Sequence, residues 1–229
     1  MENTVDRESR DSLVAAINRY LEGETTAFQF DDEIFSIESD DPTVTHVVCE
    51  LWYFYDDCKN HRVNLAKEAW DYYQRLILVL QSNAHVEVST QRRWDGTQLI
   101  ALAALLLFLY TATWLGFGIQ LFALAIPFGA VSIAISYWRN RASPRKMDGN
   151  QLALTPFSSF NELIHLRRRL SSFRKRKYPA GMKRVGIRTP IEETAVWLQV
   201  YAARLFLSPL VLAFQSLPMK ETDTRVAML

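Results

Sequence analysis

The chain has 229 residues, a length that suits one or two modest domains, and a formal net charge of +1. This length leaves too little material to coat the 43 uncharged residues from Gly96 to Trp138, which disfavours a hairpin buried in a soluble protein. The only cysteines, Cys49 and Cys58, fall in a predicted reducing compartment, so we expect no disulfide between them.

The first 90 residues are predicted to form an acidic, cytoplasmic helical domain. Residues 1–85 carry 17 Asp or Glu against 7 Lys or Arg, which gives a local charge of −10. Apolar residues recur there at helical spacing and predict three or four helices, with the aromatic residues in a core. The predicted helix starts are Asp11 or Ser12, Thr43 or Thr45, and Asn64.

Two pairs of metal-ligating residue types occur in this domain. His46 and Cys49 are three positions apart, as are Cys58 and His61, and four such ligands suit zinc. The nine positions from Cys49 to Cys58 rotate a continuous helix by about 180°, so only a break near Asp56 would unite the pairs. The simpler interpretation is a buried Cys49, an ordinary thiol at Cys58 and surface histidines, without a bound metal or cofactor.

An acidic group with a nearby histidine is the candidate for catalysis. Asp56, Asp57, His61 and Glu68 could hold a divalent cation, or act as acid and base if their environments separate their pKa values. Carboxylates on solvated helix faces have the same sequence pattern. No nucleophile elbow, phosphate-binding loop or HExxH motif accompanies these residues, so catalysis is not the preferred interpretation.

Two runs of this domain resemble a known family. The segments INRYLEGETTAFQFD, from Ile17 to Asp31, and ELWYFYDD, from Glu50 to Asp57, look like small helical bacterial immunity proteins of the colicin D immunity type. The resemblance covers about residues 12–80 and implies a helical fold and an immunity role. Those relatives are soluble and lack the apolar hairpin described next. The whole chain also resembles uncharacterised bacterial membrane proteins of similar layout, which implies no function.

The middle of the chain is an uncharged run between Asp95 and Arg139. It is about twice the ~20 residues that one helix needs to cross a bilayer. Gly116 and Gly118 lie near its middle and can reverse the chain. The run therefore predicts a transmembrane helical hairpin over residues 96–138, with arms at about 98–115 and 119–138.

The hairpin sequence also predicts packing and depth. Pro127 is expected to kink the second arm. Small residues at four-residue spacing are expected to let the arms approach closely: Ala125 with Gly129, Ala130 with Ala134, and Ser132 with Ser136. Amphipathic aromatic residues prefer the headgroup region, which places Trp94, Tyr137 and Trp138 at one membrane interface and Trp114 at the other.

Positive charges flank both ends of the hairpin. They are Arg92 and Arg93 before it, and Arg139, Arg141, Arg145 and Lys146 after it. The positive-inside rule therefore predicts that both chain termini are cytoplasmic and that only the turn lies outside, in a bacterial inner membrane. The first dozen residues are polar and acidic, so no cleavable signal is predicted.

Residues 139–188 form a basic juxtamembrane region, with 14 Lys or Arg against 2 Asp or Glu and a local charge of +12. A capping box from Ser159 to Glu162 predicts a helix that carries the first arginines. Beside a bilayer, each such charge gains about 1 kcal/mol from anionic headgroups. The lipid-binding candidates are Arg167, Arg168, Arg169, Arg174, Lys175, Arg176, Lys177, Lys183 and Arg184. Pairing with the acidic domain or with a protein partner is the alternative; nucleic acid is not expected, because no recognisable module surrounds the charges.

A last apolar stretch covers residues 189–218. Thr189 and Pro190 give a clear helix start, and Arg204 is the single charge between Thr194 and Pro218. A helix lying in the interface or re-entering the membrane is the preferred interpretation. A third crossing and packing inside soluble protein are the alternatives. Residues 219–229 are predicted to be a flexible tail.

The predicted fold is an all-α membrane protein: a cytoplasmic helical domain, a transmembrane hairpin and a basic C-terminal region with an interfacial or re-entrant helix. Two functional hypotheses follow. The first is a non-enzymatic, membrane-anchored adaptor, regulator or immunity-type protein that binds a protein partner at the cytoplasmic membrane face. The second is a membrane-bound, metal-dependent hydrolase or lipid-modifying enzyme. A homo-oligomer is compatible with both, because small residues in the hairpin can serve an assembly.

Overall fold

The computed structural model describes residues 5–56, 58–116, 118–142, 154–182 and 185–227. Three candidate residues, Asp57, Lys183 and Arg184, lie outside these ranges. In chain order the elements are α1 (Arg7–Glu22), α2 (Ala27–Phe35), α3 (Pro42–Trp52), α4 (Lys67–Gln81), β1 (His85–Arg93), α5 (Gly96–Leu115), α6 (Gln120–Ala142), α7 (Phe160–Arg169), α8 (Pro190–Phe206), α9 (Ser208–Gln215) and β2 (Met219–Ala227). The protein is therefore mostly helical.

The chain divides into two compact units. The helical domain comprises residues 1–89, 147–187 and 223–229, with α1 to α4 and α7. The apolar unit comprises residues 90–146 and 188–222, with α5, α6, α8 and α9. The structure thus joins the acidic region to most of the basic region, two segments that the sequence analysis kept apart.

Local hydrogen bonds explain where the first helices start. The side chain of Asp6 accepts from the Ser9 N–H at 3.1 Å, so the N-cap of α1 is Asp6 and precedes both predicted caps, Asp11 and Ser12. A capping box between Thr26 and Gln29 starts α2, which the sequence analysis read only as a short apolar stretch. Asn64 caps no helix, because its amide contacts the backbone of Val185.

Aromatic side chains form much of the core of the helical domain, as predicted. Tyr20, Phe30 and Tyr73 are fully buried, and the rings of Tyr20 and Phe30 stack with centroids 4.5 Å apart. Burial of the Phe30 side chain stabilises the fold by roughly 1.5–3 kcal/mol. A second cluster joins α4 and α7 through Leu78, Leu166 and their neighbours.

A buried ion pair ties α1 to the start of α3. The side chains of Arg10 and Asp41 are both fully buried, and Arg10 Nε donates to Asp41 Oδ2 at 2.6 Å. Arg10 also donates to the carbonyls of Ser82 and Ala84 at 2.8 and 2.9 Å. Asp41 accepts from the Thr43 N–H at 2.9 Å, so one carboxylate both caps α3 and neutralises the buried guanidinium.

A two-stranded sheet corrects two expectations. β1 and β2 pair with each other, so the fold is not purely helical. β2 lies where the sequence predicted a flexible tail, and Val226 within it is 7% exposed in the cluster with Leu78. The polar run from Lys220 to Arg225 concealed this strand, because its ordering depends on pairing with a segment more than 120 residues away in the chain.

The apolar unit contains two helices long and apolar enough to cross a membrane. Gly96–Leu115 and Gln120–Arg139 have mean hydropathies of 1.9 and 1.8, and they match the two predicted arms closely. Both carry exposed apolar side chains, for example Leu106 at 58% and Phe122 at 60%. Pro127 lies inside α6, which remains one helix from Gln120 to Ala142.

The last apolar stretch forms two helices instead of one. α8 and α9 meet at Leu207 with a bend of 84°, and Pro209 lies at the start of α9. By length and composition the pair fits a broken span or a re-entrant loop. The segment is therefore a bent pair of helices. Whether this pair lies in the interface, re-enters the membrane or crosses it stays a prediction.

Gly129 permits a close approach between α6 and α8. A Cβ atom at Gly129 would lie 2.6 Å from the Cα of Leu205 and 2.8 Å from its Cδ2. From its spacing to Ala125, this glycine was expected to contact the other hairpin arm. The structure instead uses it for the neighbouring α8, while Phe108 and Phe128 join the arms edge to face at 5.3 Å.

Candidate functional site

The basic region continues beyond α7 as a strap, which we define as residues 170–182, along the helical domain. The backbone of Arg176 is held at both polar atoms: its N–H donates to Gln74 Oε1 at 2.9 Å, and its carbonyl accepts from Trp70 Nε1 at 3.3 Å. The rings of Tyr178 and Trp70 meet edge to face at 5.9 Å, and Phe173 packs against the core. The strap is therefore part of the folded domain.

Two basic side chains of the strap pair with the acidic surface. Lys175 Nζ lies 2.7 Å from Asp71 Oδ1, and the Arg176 guanidinium binds the Glu22 carboxylate. The hydrogen bond and the charge of Arg176 lower the pKa of Glu22 below its ordinary value. Because all four side chains are partly exposed, water screens both pairs and neither contributes much to stability. Pairing within the chain, the sequence alternative to lipid binding, thus occurs at these two positions.

Other basic candidates face solvent. The exposed residues are Arg167, Arg168, Arg169, Arg174 and Lys177. α7 presents three consecutive arginines around its last turn, and in the strap Arg174 and Lys177 flank the two ion-paired residues, Lys175 and Arg176. In the sequence the nine candidates are equivalent. The structure describes seven of them and separates five exposed cations from the two in ion pairs. Binding of lipid by any of them stays a prediction.

A groove of about 290 Å³ lies between α4, α7 and the strap. Its walls combine the apolar side chains of Leu78, Leu163 and Phe173 with charged side chains from all three segments. This groove could not be predicted from the sequence, since α4 and α7 are about 80 residues apart in the chain. A shared pattern was present, however: both helices carry an apolar stripe beside charged residues.

The catalytic candidates are only partly brought together. The backbone N–H of Asp56 donates to Nε2 of His61 at 3.2 Å, while Nδ1 of His61 lies 2.6 Å from the Arg62 carbonyl. Both imidazole nitrogens of His61 therefore lie within hydrogen-bond distance of nearby backbone groups. Oδ1 of Asp56 accepts from the Cys58 and Lys59 N–H groups at 2.8 and 3.1 Å, which is a turn, and Glu68 lines the groove on α4.

The metal candidates stay apart as two pairs. His46 and Cys49 lie on α3, and Cys58 and His61 lie in the segment before α4. Across the described ranges, no group of three or more His, Cys, Asp or Glu side chains could hold a metal ion. Burial lowers the pKa of His46, against the opposing effect of Glu50. Cys49 is exposed, which corrects the expectation that it is buried.

The predicted interface aromatics all face outward in the apolar unit. Trp94, Trp114, Tyr137 and Trp138 are 66%, 81%, 60% and 52% exposed. Exposed rings at these helix ends are compatible with headgroup contact. Their depth in a bilayer stays a prediction.

A polar cluster joins three helices of the apolar unit and was not foreseen. Arg139, expected only as a flanking charge, donates to Thr97 Oγ1 at 2.6 Å and to the Gln215 carbonyl at 2.6 Å. Nε2 of Gln215 in turn donates to the Ser132 carbonyl and to Ser136 Oγ, both at 2.9 Å. These bonds fix α9 against α5 and α6 near the arginine end of the hairpin.

Comparison with known proteins gave no match: no family model, no curated protein and no solved structure corresponds to this chain. The resemblance to colicin D immunity-type proteins therefore stays a prediction. On structural grounds alone, the chain is a mostly helical protein with two helices able to cross a membrane and a separate helical domain.

Proposed function

We propose that this protein is a membrane-anchored, non-enzymatic adaptor or regulator whose acidic helical domain binds a basic protein partner at the cytoplasmic face of a bacterial inner membrane. The apolar hairpin supplies the anchor. Arginines at both of its ends, Arg92 and Arg93 before it and Arg139 and Arg141 after it, support cytoplasmic placement of both flanks. A binding role is preferred because the sequence carries no catalytic signature and because Asp56 and His61 hydrogen-bond to local backbone groups.

The outer face of α2 carries the proposal. Phe28 and Phe35 are 40% and 57% exposed, and Asp32 is exposed between them. Their spacing of four and three residues places all three on one side of the helix. Exposed aromatic residues beside a carboxylate suit a partner segment that combines a basic with an apolar residue. The folded unit that contains α2 holds 17 Lys or Arg against 21 Asp or Glu, and this net charge of −4 attracts such a segment over longer range.

The domain already recognises a segment of this kind within its own chain. The strap places Lys175 and Arg176 on carboxylates and Phe173 and Tyr178 against the core. An extended basic segment with interleaved aromatic residues is thus a ligand whose chemistry this domain accommodates. The α2 face offers the same chemistry on a surface that the strap leaves exposed.

We expect a photo-crosslinking amino acid at Phe35 of the full-length chain to capture one basic protein in cells. The matched control is the same substitution at Phe160, an aromatic residue of similar exposure, 60%, at the start of α7. Asp32→Lys should lower the crosslinking yield at Phe35 at least about fivefold, because it reverses the attracting charge. Equal capture at both positions, or a yield that ignores Asp32→Lys, would contradict the proposal.

The same cells check the sidedness on which the proposal depends. The native thiols of Cys49 and Cys58 are exposed in the helical domain. A membrane-impermeant maleimide should therefore label them only after the inner membrane is permeabilised. Labelling of intact spheroplasts would place the domain on the other side and would refute cytoplasmic binding.

We also propose that the five exposed cations, Arg167, Arg168, Arg169, Arg174 and Lys177, bind anionic headgroups. Replacing all five with glutamine should reduce retention of phosphatidylglycerol by the full-length protein at least about tenfold, since each charge contributes up to about 1 kcal/mol. Native mass spectrometry in a mild detergent can count bound phosphatidylglycerol against phosphatidylcholine.

A matched variant separates lipid binding from general charge loss. Lys175→Gln with Arg176→Gln removes two cations that already pair with Asp71 and Glu22. This variant should change phosphatidylglycerol retention by less than about 1.3-fold per removed charge, below the about 1.6-fold per charge that a tenfold loss over five charges implies. Higher salt should weaken retention by the wild type. Equal losses per charge in both variants would show that the exposed set has no special role.

A further inference from the structure

The groove between α4, α7 and the strap contains a buried hydrogen-bond donor that has no partner. Gln74 is 2% exposed and lines this groove. Its Oε1 accepts from the Arg176 N–H at 2.9 Å, which fixes the orientation of the amide. Its Nε2 donates to no atom of the residues that the structure describes. Because an unmade buried hydrogen bond is costly, this donor marks a position for an acceptor atom of a ligand.

The charges around the donor favour an anion. Arg75 from α4, Arg167 from α7 and Lys175 from the strap line the groove, together with two carboxylates, Asp71 and Glu68. Lys175 and Asp71 neutralise each other as an ion pair at 2.7 Å. Among the remaining lining groups, two cations, Arg75 of α4 and Arg167 of α7, outnumber the single carboxylate of Glu68. Arg75 Nε also donates to the Thr155 carbonyl at 2.8 Å, which holds this cation in place.

The volume of the groove limits the size of a ligand, and its apolar side chains favour a ligand with an apolar part. Leu78, Leu163 and Phe173 line the groove, and its volume of about 290 Å³ lies at the lower end of the range for small-molecule sites. A ligand of this size has one ring or a short alkyl chain. Its acceptor must reach Gln74 while its body contacts the apolar side chains.

We propose that this groove binds a small carboxylate carried on an aromatic ring or a short alkyl chain. One carboxylate oxygen accepts from Gln74 Nε2, the cations compensate its charge, and Leu163 and Phe173 hold its apolar body. This site is separate from the α2 face and does not depend on partner binding, and it shares only Arg167 with the five exposed cations proposed for headgroups. An aryl phosphate shares the charge and the ring, so the test includes it.

The test uses 4-fluorobenzoate and fluorine NMR with the full-length protein in detergent micelles. We expect saturable binding in the millimolar range or tighter, with 4-fluorobenzyl alcohol binding at least about tenfold more weakly because it lacks the charge. Binding of 4-fluorophenyl phosphate tighter than that of the carboxylate would replace the ligand class with an aryl phosphate. Protein-free micelles give the baseline for partition into detergent.

Two variants locate the site. Gln74→Leu removes the donor and should weaken 4-fluorobenzoate binding about tenfold, the usual effect of one hydrogen bond to a charged group. Leu163→Trp fills the groove from α7, leaves Gln74 in place and should abolish binding. The control is Gln91→Leu, at an exposed position of β1. Failure of the wild type to bind at 10 mM probe, or unchanged affinity in both groove variants, would overturn the proposal whatever the outcome for the α2 face.

Discussion

Replacement of Arg10 with methionine is expected to destabilise the helical domain by about 3–5 kcal/mol, the usual effect of removing one partner of a buried ion pair. Asp41 would remain fully buried without its cation, and the Ser82 and Ala84 carbonyls would each lose a hydrogen bond. Amide hydrogen exchange of α1 and α3 in the full-length protein should become at least about 100-fold faster, if these amides exchange through opening of the whole domain.

The pH dependence of the stability of Arg10→Met tests whether the unpaired charge of Asp41 causes the loss. Burial acts to raise the pKa of Asp41, but hydrogen bonds from Arg10 and Thr43 and the charge of Arg10 outweigh it and lower the pKa. A carboxyl group with a lowered pKa in the folded state contributes stability above its unfolded pKa and loses it as the pH falls through the folded value. In Arg10→Met, burial acts unopposed by the cation and raises the pKa of Asp41, so protonation relieves the penalty. The stability gap to wild type should therefore narrow from pH 8 towards pH 5.

Two further variants serve as controls. Arg19, like Arg10, lies on α1, and Arg19→Met removes a partly exposed pair with Glu33 of α2, which should cost less than about 1 kcal/mol. Arg10→Met combined with Asp41→Asn removes both charges and keeps a capping oxygen for Thr43, so it should recover part of the loss. Equal exchange rates in Arg10→Met and Arg19→Met, or a gap that does not change with pH, would show that the buried charge is unimportant.

Substitution of Gly129 is expected to separate α8 from α6. The added Cβ of Gly129→Ala would lie 2.6 Å from a backbone atom of Leu205, so α8 itself must shift. Overpacking of this kind costs about 1–3 kcal/mol, offset by at most about 1 kcal/mol of helix propensity. Gly129→Leu should cost more, because a full side chain cannot fit beside a helix backbone.

The measurement is hydrogen exchange of residues 190–206 in lipid nanodiscs. Exchange should rise about tenfold or more in Gly129→Leu and less in Gly129→Ala. Ala130→Leu is the matched control, since Ala130 is the next residue of α6 and is exposed. If Ala130→Leu increases exchange of α8 as much as Gly129→Leu does, close packing at Gly129 is not what holds α8 in place.

Local sequence was sufficient for the features that need no distant partner. The absence of charge between Asp95 and Arg139 predicted two apolar helices, and α5 and α6 end within a few residues of the predicted arms. An apolar run of this length suits a membrane-spanning helix whatever the rest of the chain does. Helical periodicity likewise predicted the aromatic core of the first domain. Caps were less predictable, because Asp6, Asp11 and Ser12 are similar N-cap residues and packing of the rest of α1 selects among them.

The tertiary structure decided everything that depends on contact between distant segments. Sequence could not tell which basic residues pair with Asp71 and Glu22 and which face solvent, because each pair joins residues more than 100 positions apart. For the same reason it missed the pairing of β2 with β1 and the groove around Gln74. Charge and hydrophobicity are properties of single residues and fix the environment of a segment, whereas register, ion pairing and cavities arise only when the folded chain brings particular side chains within a few ångströms of each other.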